Sequence, residues 1–331
     1  MNMHATPRDH GGNLDAAIAH YGGDPAQWLD LSTGINPVSY PVPPLPQEAW
    51  TALPRRSDMA RLAEAAARAY GTQADVVPFA GAQGAIQSIP FILHPGRAAV
   101  LAPTYNEHAA ALRMAGWPVA EVDSLSALQG ADLAILVNPN NPDGNRYDPG
   151  ELRDLADHVG LLIVDESFAD PDPDLSLAPC LHDAPSIIVL RSFGKFFGLA
   201  GLRLGFALAT GRRATRLAEF AGPWPISGPA IEIACAALED APWQARTCAR
   251  LAHDSAALDG IAQEAGWTLI GGTPLFRTYA TPDATATQDR LAQAMIWSRI
   301  FPYSETWIRL GLPPDAAGMA RIRAALGLPP C

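Results

Sequence analysis

The chain has 331 residues, 48% of them hydrophobic, enough to bury a large core that divides into two lobes. Its 34 acidic residues outnumber 23 basic ones, for a net charge of −11, whereas a nucleic-acid binder needs a basic surface. That balance still allows a small anionic ligand held by a few local arginines, and no apolar run approaches the ~20 residues of a membrane span.

The start of the chain lacks a basic stretch followed by an apolar one, so no signal peptide is expected. His10-Gly11-Gly12-Asn13 is followed by Tyr21-Gly22 and by the polar turn in Leu29-Asp30-Leu31-Ser32-Thr33-Gly34-Ile35-Asn36-Pro37. Residues 37–46 are proline-rich and read as an extended connector. Arg61 to Tyr70 reads as a helix stopped by Gly71. From about Ala74 to Ala209, short apolar runs alternate with helical stretches such as 150–158. The strand candidates are 76–80, 98–101, 119–122, 134–137, 161–164, 187–190 and 205–208. Such alternation predicts an α/β fold with a mostly parallel sheet and helices on both faces.

Residues 212–220 lead into a second lobe, and Pro223-Trp224-Pro225 and Ser227-Gly228-Pro229 break the chain there. Alanine-rich helices follow over about 230–265, then short strands at 267–270 and 276–279. The chain closes with Trp307-Ile308-Arg309-Leu310 and a helix over 319–326. Cys180, Cys235, Cys248 and Cys331 are scattered without metal-ligand spacing. They read as reduced thiols of a cytoplasmic protein, and no metal is expected.

Three strand ends carry the chemistry. Arg191-Ser192-Phe193-Gly194-Lys195 follows a core strand and leads to Arg203. A lysine in apolar surroundings has its ammonium disfavoured by burial, and a neutral amine can form a Schiff base with an aldehyde. Ser192 and Arg203 are phosphate-binding types, a hydroxyl and a bidentate cation. Aldehyde plus phosphate describes pyridoxal 5'-phosphate. Leu161 to Val164 runs into Asp165-Glu166-Ser167-Phe168, at a strand's carboxyl end, where open α/β sheets bind ligands. A buried carboxylate there needs a cationic partner, and a protonated pyridine nitrogen is one. Leu133 to Val137 runs into Asn138-Pro139-Asn140-Asn141-Pro142-Asp143-Gly144, either an ordinary strand-exit turn or a place for Asn141 to donate to the ring oxygen.

In order and approximate spacing, these segments resemble the fold-type I pyridoxal-phosphate enzymes, the aminotransferase superfamily. The resemblance implies a mostly parallel seven-stranded sheet whose last strand, near Phe206, is antiparallel, plus a smaller α+β domain. It implies an N-terminal arm over 1–48 packed on the small domain, a large domain over 49–213, a small one over 214–331, and a homodimer. Lys195 is then the Schiff-base lysine, Asp165 holds the pyridine nitrogen, Asn141 the ring oxygen, and Ser192 and Arg203 the phosphate. The small-residue turn after residue 80 implies Ala82 and Gln83 on the same phosphate, and Tyr105 stacks on the ring. Two departures stand out. Phe168 occupies a position where many relatives have a tyrosine that donates to the ring oxygen. Leu53 occupies another, where many have a tyrosine reaching the neighbouring subunit's phosphate.

The His-Gly-Gly-Asn start, the Ser-Thr-Gly-Ile-Asn-Pro turn and Asp165 to Phe168 look like the threonine-phosphate decarboxylases of the cobalamin pathway, cousins of the histidinol-phosphate aminotransferases. That resemblance implies a substrate pocket formed by His10, Gly11, Asn36 and Asn141 with Arg299 and Arg309. Arg309 would hold the α-carboxylate. Arg299, in a segment about four residues shorter than expected, would hold the substrate phosphate. Decarboxylation of L-threonine O-3-phosphate is the activity implied. Transamination of histidinol phosphate or a similar phosphorylated amine is the alternative, and a non-catalytic module on the same fold is a third reading.

Overall fold

The computed structural model describes residues 10–330. The strands in chain order are β1 (Leu29–Asp30), β2 (Asp75–Ala80), β3 (Ala98–Leu101), β4 (Val119–Val122), β5 (Leu133–Val137), β6 (Leu162–Asp165), β7 (Ile187–Ser192), β8 (Leu204–Ala209), β9 (Thr268–Thr273), β10 (Phe276–Ala280), β11 (Ile296–Trp297), β12 (Arg299–Phe301) and β13 (Ser304–Gly311). The chain folds into two compact units. The larger comprises Ser39–Asn141 and Asn145–Thr247, and the smaller holds the residues up to Val38, Pro142–Gly144 and those from Cys248 on.

The larger unit is built on a seven-stranded sheet of order β2-β8-β7-β6-β5-β3-β4. Neighbouring strands are parallel except for β8, which runs antiparallel to both β2 and β7. Every residue of β5 and β6 is buried. That is why these strands read as unbroken apolar runs: a parallel strand covered on both faces has no polar side to alternate with. The helix Arg56–Ala69 buries Leu62, Ala65 and Ala66, a stripe at three- and four-residue spacing. It begins five residues before the Arg61 expected from sequence, because the Asp58 carboxylate accepts the Arg55 backbone N–H at 2.8 Å and closes its first turn.

This helix packs against a second one, Gly228–Glu239, so residues 214–247 cluster with the larger unit, beyond the boundary expected at 213. Ser227-Gly228-Pro229 is the start of that helix. The Ser227 side chain accepts the Ala230 N–H at 3.4 Å, and proline fits the first turn, where its missing N–H costs nothing.

The smaller unit holds an antiparallel sheet of order β12-β13-β10-β9 and a parallel pair, β1 with β11. Only the interiors of β9, β10 and β13 are legible as strands in the sequence; β1, β11 and β12 are two or three residues long and carry no period. Leu29 pairs with Ile296 and Asp30 with Trp297. Ala17, Trp28 and Ala292 form a small core beneath that pair. Among the described residues no helix is long and apolar enough to cross a membrane, and no group of three His, Cys, Asp or Glu residues could hold a metal ion.

Candidate active site

Strand direction assembles the cleft of the larger unit. β2, β3, β5, β6 and β7 run one way and end at the same edge of the sheet, and the reversed β8 begins there. The segments at that edge line an open cleft of about 720 Å³. It takes Ala82 and Gln83 from beyond β2, Tyr105 from beyond β3 and Asn141 from beyond β5. Asp165 comes from the end of β6 and Phe168 from just beyond it, Ser192 from the end of β7 and Lys195 from the helical turn Phe193–Phe196 that follows, and Arg203 from just before β8. All eight cofactor-binding residues expected from sequence therefore lie around one cleft.

Asp165 is 2% exposed, where an ionised carboxylate must have partners. His108 Nε2 lies 2.8 Å from its Oδ2, and the Ser167 backbone N–H donates to Oδ1 at 2.9 Å, joined by the Ser167 hydroxyl. Burial pushes this carboxyl up, but His108 and Ser167 together outweigh it and hold Asp165 below the ordinary carboxylate value. The cleft thus presents a fixed negative charge at the bottom of an apolar strand. His108 is itself 1% exposed, and its Nδ1 has no hydrogen-bond partner among the described residues.

The next residues on the same two strands clamp the neighbouring segments together. Arg191 Nη1 donates to Glu166 Oε2 at 2.9 Å, both side chains buried, and its Nη2 to the partly buried Asp170 Oδ1 at 2.8 Å. The Tyr70 ring lies 4.3 Å beneath the guanidinium. Burial still raises the Glu166 carboxyl, despite its facing Arg191. Asp165 and Ser192 each adjoin one member of this pair, so the clamp limits how far either can shift.

At the other end of the cleft, Arg203 is a non-glycine residue in the left-handed region, at φ 55°. Strain of that kind costs about 1–3 kcal/mol and persists where the surroundings enforce it. Opposite stands Gly81, at φ 75°, where an added Cβ would lie 2.7 Å from the Arg203 guanidinium. Glycine at this position leaves a cradle beside a fixed cation. Lys195 is half-buried, with its amine 5.5 Å from the centroid of the Phe168 ring. Asn141 lies on a loop tied to the exit of β3. The Thr104 hydroxyl donates to Asn140 Oδ1 at 2.6 Å, and Asn140 Nδ2 donates to the Pro103 carbonyl at 3.0 Å.

The smaller unit carries the other arginines expected from sequence. Arg299 on β12 and Arg309 on β13 are directly opposite one another in the antiparallel register. Opposed residues share a face, and two like charges there are unfavourable unless an anion is shared between them. β12 joins β13 through the tight turn at Pro302-Tyr303, so the short segment before Trp307 is a hairpin that puts Arg299 beside Arg309. Arg309 Nη2 donates to the Ser32 carbonyl at 2.7 Å, and the Ser32 hydroxyl accepts the Gly12 N–H at 2.7 Å. Gly11 packs so closely that an added Cβ would lie 2.3 Å from the Ser32 carbonyl oxygen. Ser32 therefore joins the His10-Gly11-Gly12 start to Arg309, with His10 exposed. Asn36 is buried; its Oδ1 accepts from Arg250 Nη2 at 2.5 Å and from the Val38 N–H at 3.1 Å.

Sequence reasoning missed His108, Ser167, Ser32 and Arg250. For His108 a signal existed: it lies three residues after Tyr105 at a helix start, a spacing that turns both toward one side. Arg250 lies 214 residues from Asn36, and no local pattern marks it.

Residues 47–326 match the family model of class I and II aminotransferases. The chain belongs to the class I and II aminotransferase family. It is 44% identical to a threonine-phosphate decarboxylase of Sinorhizobium sp, over 97% of this chain and 98% of that protein. A second threonine-phosphate decarboxylase, from Pseudomonas aeruginosa, is also 44% identical, over 96% and 97%. Among solved structures, the histidinol-phosphate aminotransferase of Sinorhizobium meliloti, in complex with pyridoxal 5'-phosphate, superposes with a TM-score of 0.84 at 23% identity, over 97% of this chain and 94% of that one. The fold is the fold-type I architecture of the family.

Proposed function

We propose that this protein is a pyridoxal 5'-phosphate-dependent decarboxylase that converts L-threonine O-3-phosphate into (R)-1-aminopropan-2-yl phosphate, for the aminopropanol arm of cobalamin. The observation that carries this reading is the near full-length identity of 44% to two proteins named threonine-phosphate decarboxylase. The opposed Arg299 and Arg309 support it, since the substrate carries two anionic groups.

The residues present fit the cofactor. The Gly81 cradle beside Arg203, with Ser192 nearby in the lining, suits a phosphate. Asp165, kept ionised by His108 and Ser167, suits a protonated pyridine nitrogen. Lys195 would attach the cofactor, Asn141 would hold its ring oxygen, Tyr105 would support the ring, and Ala82 and Gln83 would border the phosphate. When bound, pyridoxal phosphate supplies an electron sink for bond cleavage at the substrate's α-carbon.

The chain's own side chains do the rest. Arg309 holds the α-carboxylate, and Arg299 and His10 hold the substrate phosphate. Gly11 and Asn36 line the pocket, Asn36 with its oxygen fixed by Arg250. Asp165 keeps a proton on the ring nitrogen. The carboxylate would leave as CO2, and Lys195, freed once the substrate's amine takes its place and carrying a proton as an ammonium, would give that proton to the α-carbon in place of the lost carboxylate. The protein works in the cytoplasm as a homodimer; exposed Val42, Trp50 and Leu53, close in sequence, are apolar surface suited to a partner subunit.

A paired assay tests the activity. CO2 release from phosphothreonine without an oxo acid is the expected result. Turnover of histidinol phosphate that depends on 2-oxoglutarate, with no CO2 release, would overturn it.

A further inference from the structure

Glu107 is a buried carboxylate, 6% exposed, that none of the roles above uses. It begins the helix Glu107–Met114, two residues after Tyr105 and one before His108. Its Oε2 accepts a hydrogen bond from Gln83 Nε2 at 2.8 Å. Gln83 Oε1 in turn accepts from the Tyr105 hydroxyl at 3.3 Å. Gln83 and Tyr105 line the cleft, and Glu107 stands behind them. The four-residue segment from Tyr105 to His108 thus reaches the ring-stacking position, the turn beyond β2 and the carboxylate of Asp165.

We propose that Glu107 is a positioning residue: it fixes the Gln83 amide in one orientation, and that amide fixes the Tyr105 ring against the cofactor. The argument rests on donor and acceptor types. A carboxylate oxygen can only accept, so the amide NH2 of Gln83 must face Glu107. Its carbonyl oxygen is then turned toward Tyr105, where it can only accept, and the tyrosine must donate. The chain of two bonds has a single sense, set by the charge at its buried end. Hydrogen bonds to a charged group are worth about 1.5–3 kcal/mol, so the carboxylate end is the stronger link.

This inference rests on pyridoxal phosphate being the cofactor, and binding by the wild-type protein reports on that assignment separately. The experiment measures the dissociation constant of pyridoxal phosphate and its visible circular dichroism, which reads how the ring is held. The proteins are the wild type, Glu107→Leu, Glu107→Gln, Gln83→Ala and the two double variants. Glu107→Leu is expected to weaken binding roughly tenfold or more and to diminish the dichroic band. Glu107→Gln, which keeps the size and one acceptor, is expected to recover most of the affinity with a band between the two. In the Gln83→Ala background neither substitution at 107 is expected to change either reading. Equal losses with and without Gln83 would show that Glu107 acts on the fold alone and would overturn the relay, as would an unchanged band in both 107 variants. Where Glu107→Leu does not fold, the same comparison with the isosteric Glu107→Gln decides.

Discussion

The cleft of the larger unit and the arginine pair of the smaller unit are built in different ways. In the larger unit, the functional side chains leave the ends of neighbouring sheet strands, and sequence segments of fewer than fifteen residues carry each of them. In the smaller unit, Gly11, Ser32, Asn36, Arg250, Arg299 and Arg309 come from five separate stretches, joined by single hydrogen bonds and one hairpin register. A sheet edge holds its residues in place through many backbone bonds at once. A cluster assembled from scattered side chains depends on each contact. Substitutions in the cleft of the larger unit are therefore expected to alter chemistry with the fold intact, and those around Arg299 and Arg309 to alter which anion is held.

The largest effect expected is at Lys195. Lys195→Ala should abolish turnover and the Schiff-base absorbance together; retained activity with bound cofactor would remove the lysine from its role. Asp165→Asn should keep the fold and lose most activity, because a neutral amide no longer holds a proton on the ring nitrogen. Normal turnover in that variant would break the distinction between the two regions at its centre.

Next come the arginines. Removing one partner of a desolvated charge pair costs about 2–5 kcal/mol. Arg299→Ala should weaken phosphothreonine binding by that amount and leave threonine, which lacks the phosphate, little changed. Arg309→Ala should weaken both. Calorimetry with the two ligands sharpens the comparison, and equal losses for both ligands in Arg299→Ala would mean the phosphate is held elsewhere.

A subtler effect is expected at His108. The Asp165 carboxyl lies below its ordinary value, so its contribution to stability is present above the unfolded carboxylate pKa, about 3.9, and is lost as pH falls through the native value. Burial alone raises this carboxyl, and His108 is the first contribution that lowers it. In His108→Phe the carboxyl should therefore rise, and the acid limb of the kcat profile should move to higher pH. An unmoved limb would assign the lowering to Ser167. The least demanding measurement is sedimentation, where a homodimer is expected and a fully active monomer would contradict it.

Most of the larger unit's sheet was legible in the sequence. Unbroken apolar runs can only be strands covered on both faces, and the residues that end such runs in an open α/β sheet come to one edge. Asp165, Ser192 and Lys195 could be placed from that rule before any coordinates. The lowered Asp165 carboxyl was not legible there, because it follows in large part from His108, 57 residues away in sequence. Only the tertiary structure decided that Ser227-Gly228-Pro229 starts a helix packed on Arg56–Ala69, so that the larger unit extends to Thr247. The facing of Arg299 and Arg309 depends on a hairpin register, and the hold on Asn36 depends on a partner 214 residues distant. Periodicity reports which face of an element is buried. It says nothing of which distant side chain meets that face, and hydrogen bonds and charge pairs form with whatever group the fold brings within about 3 Å.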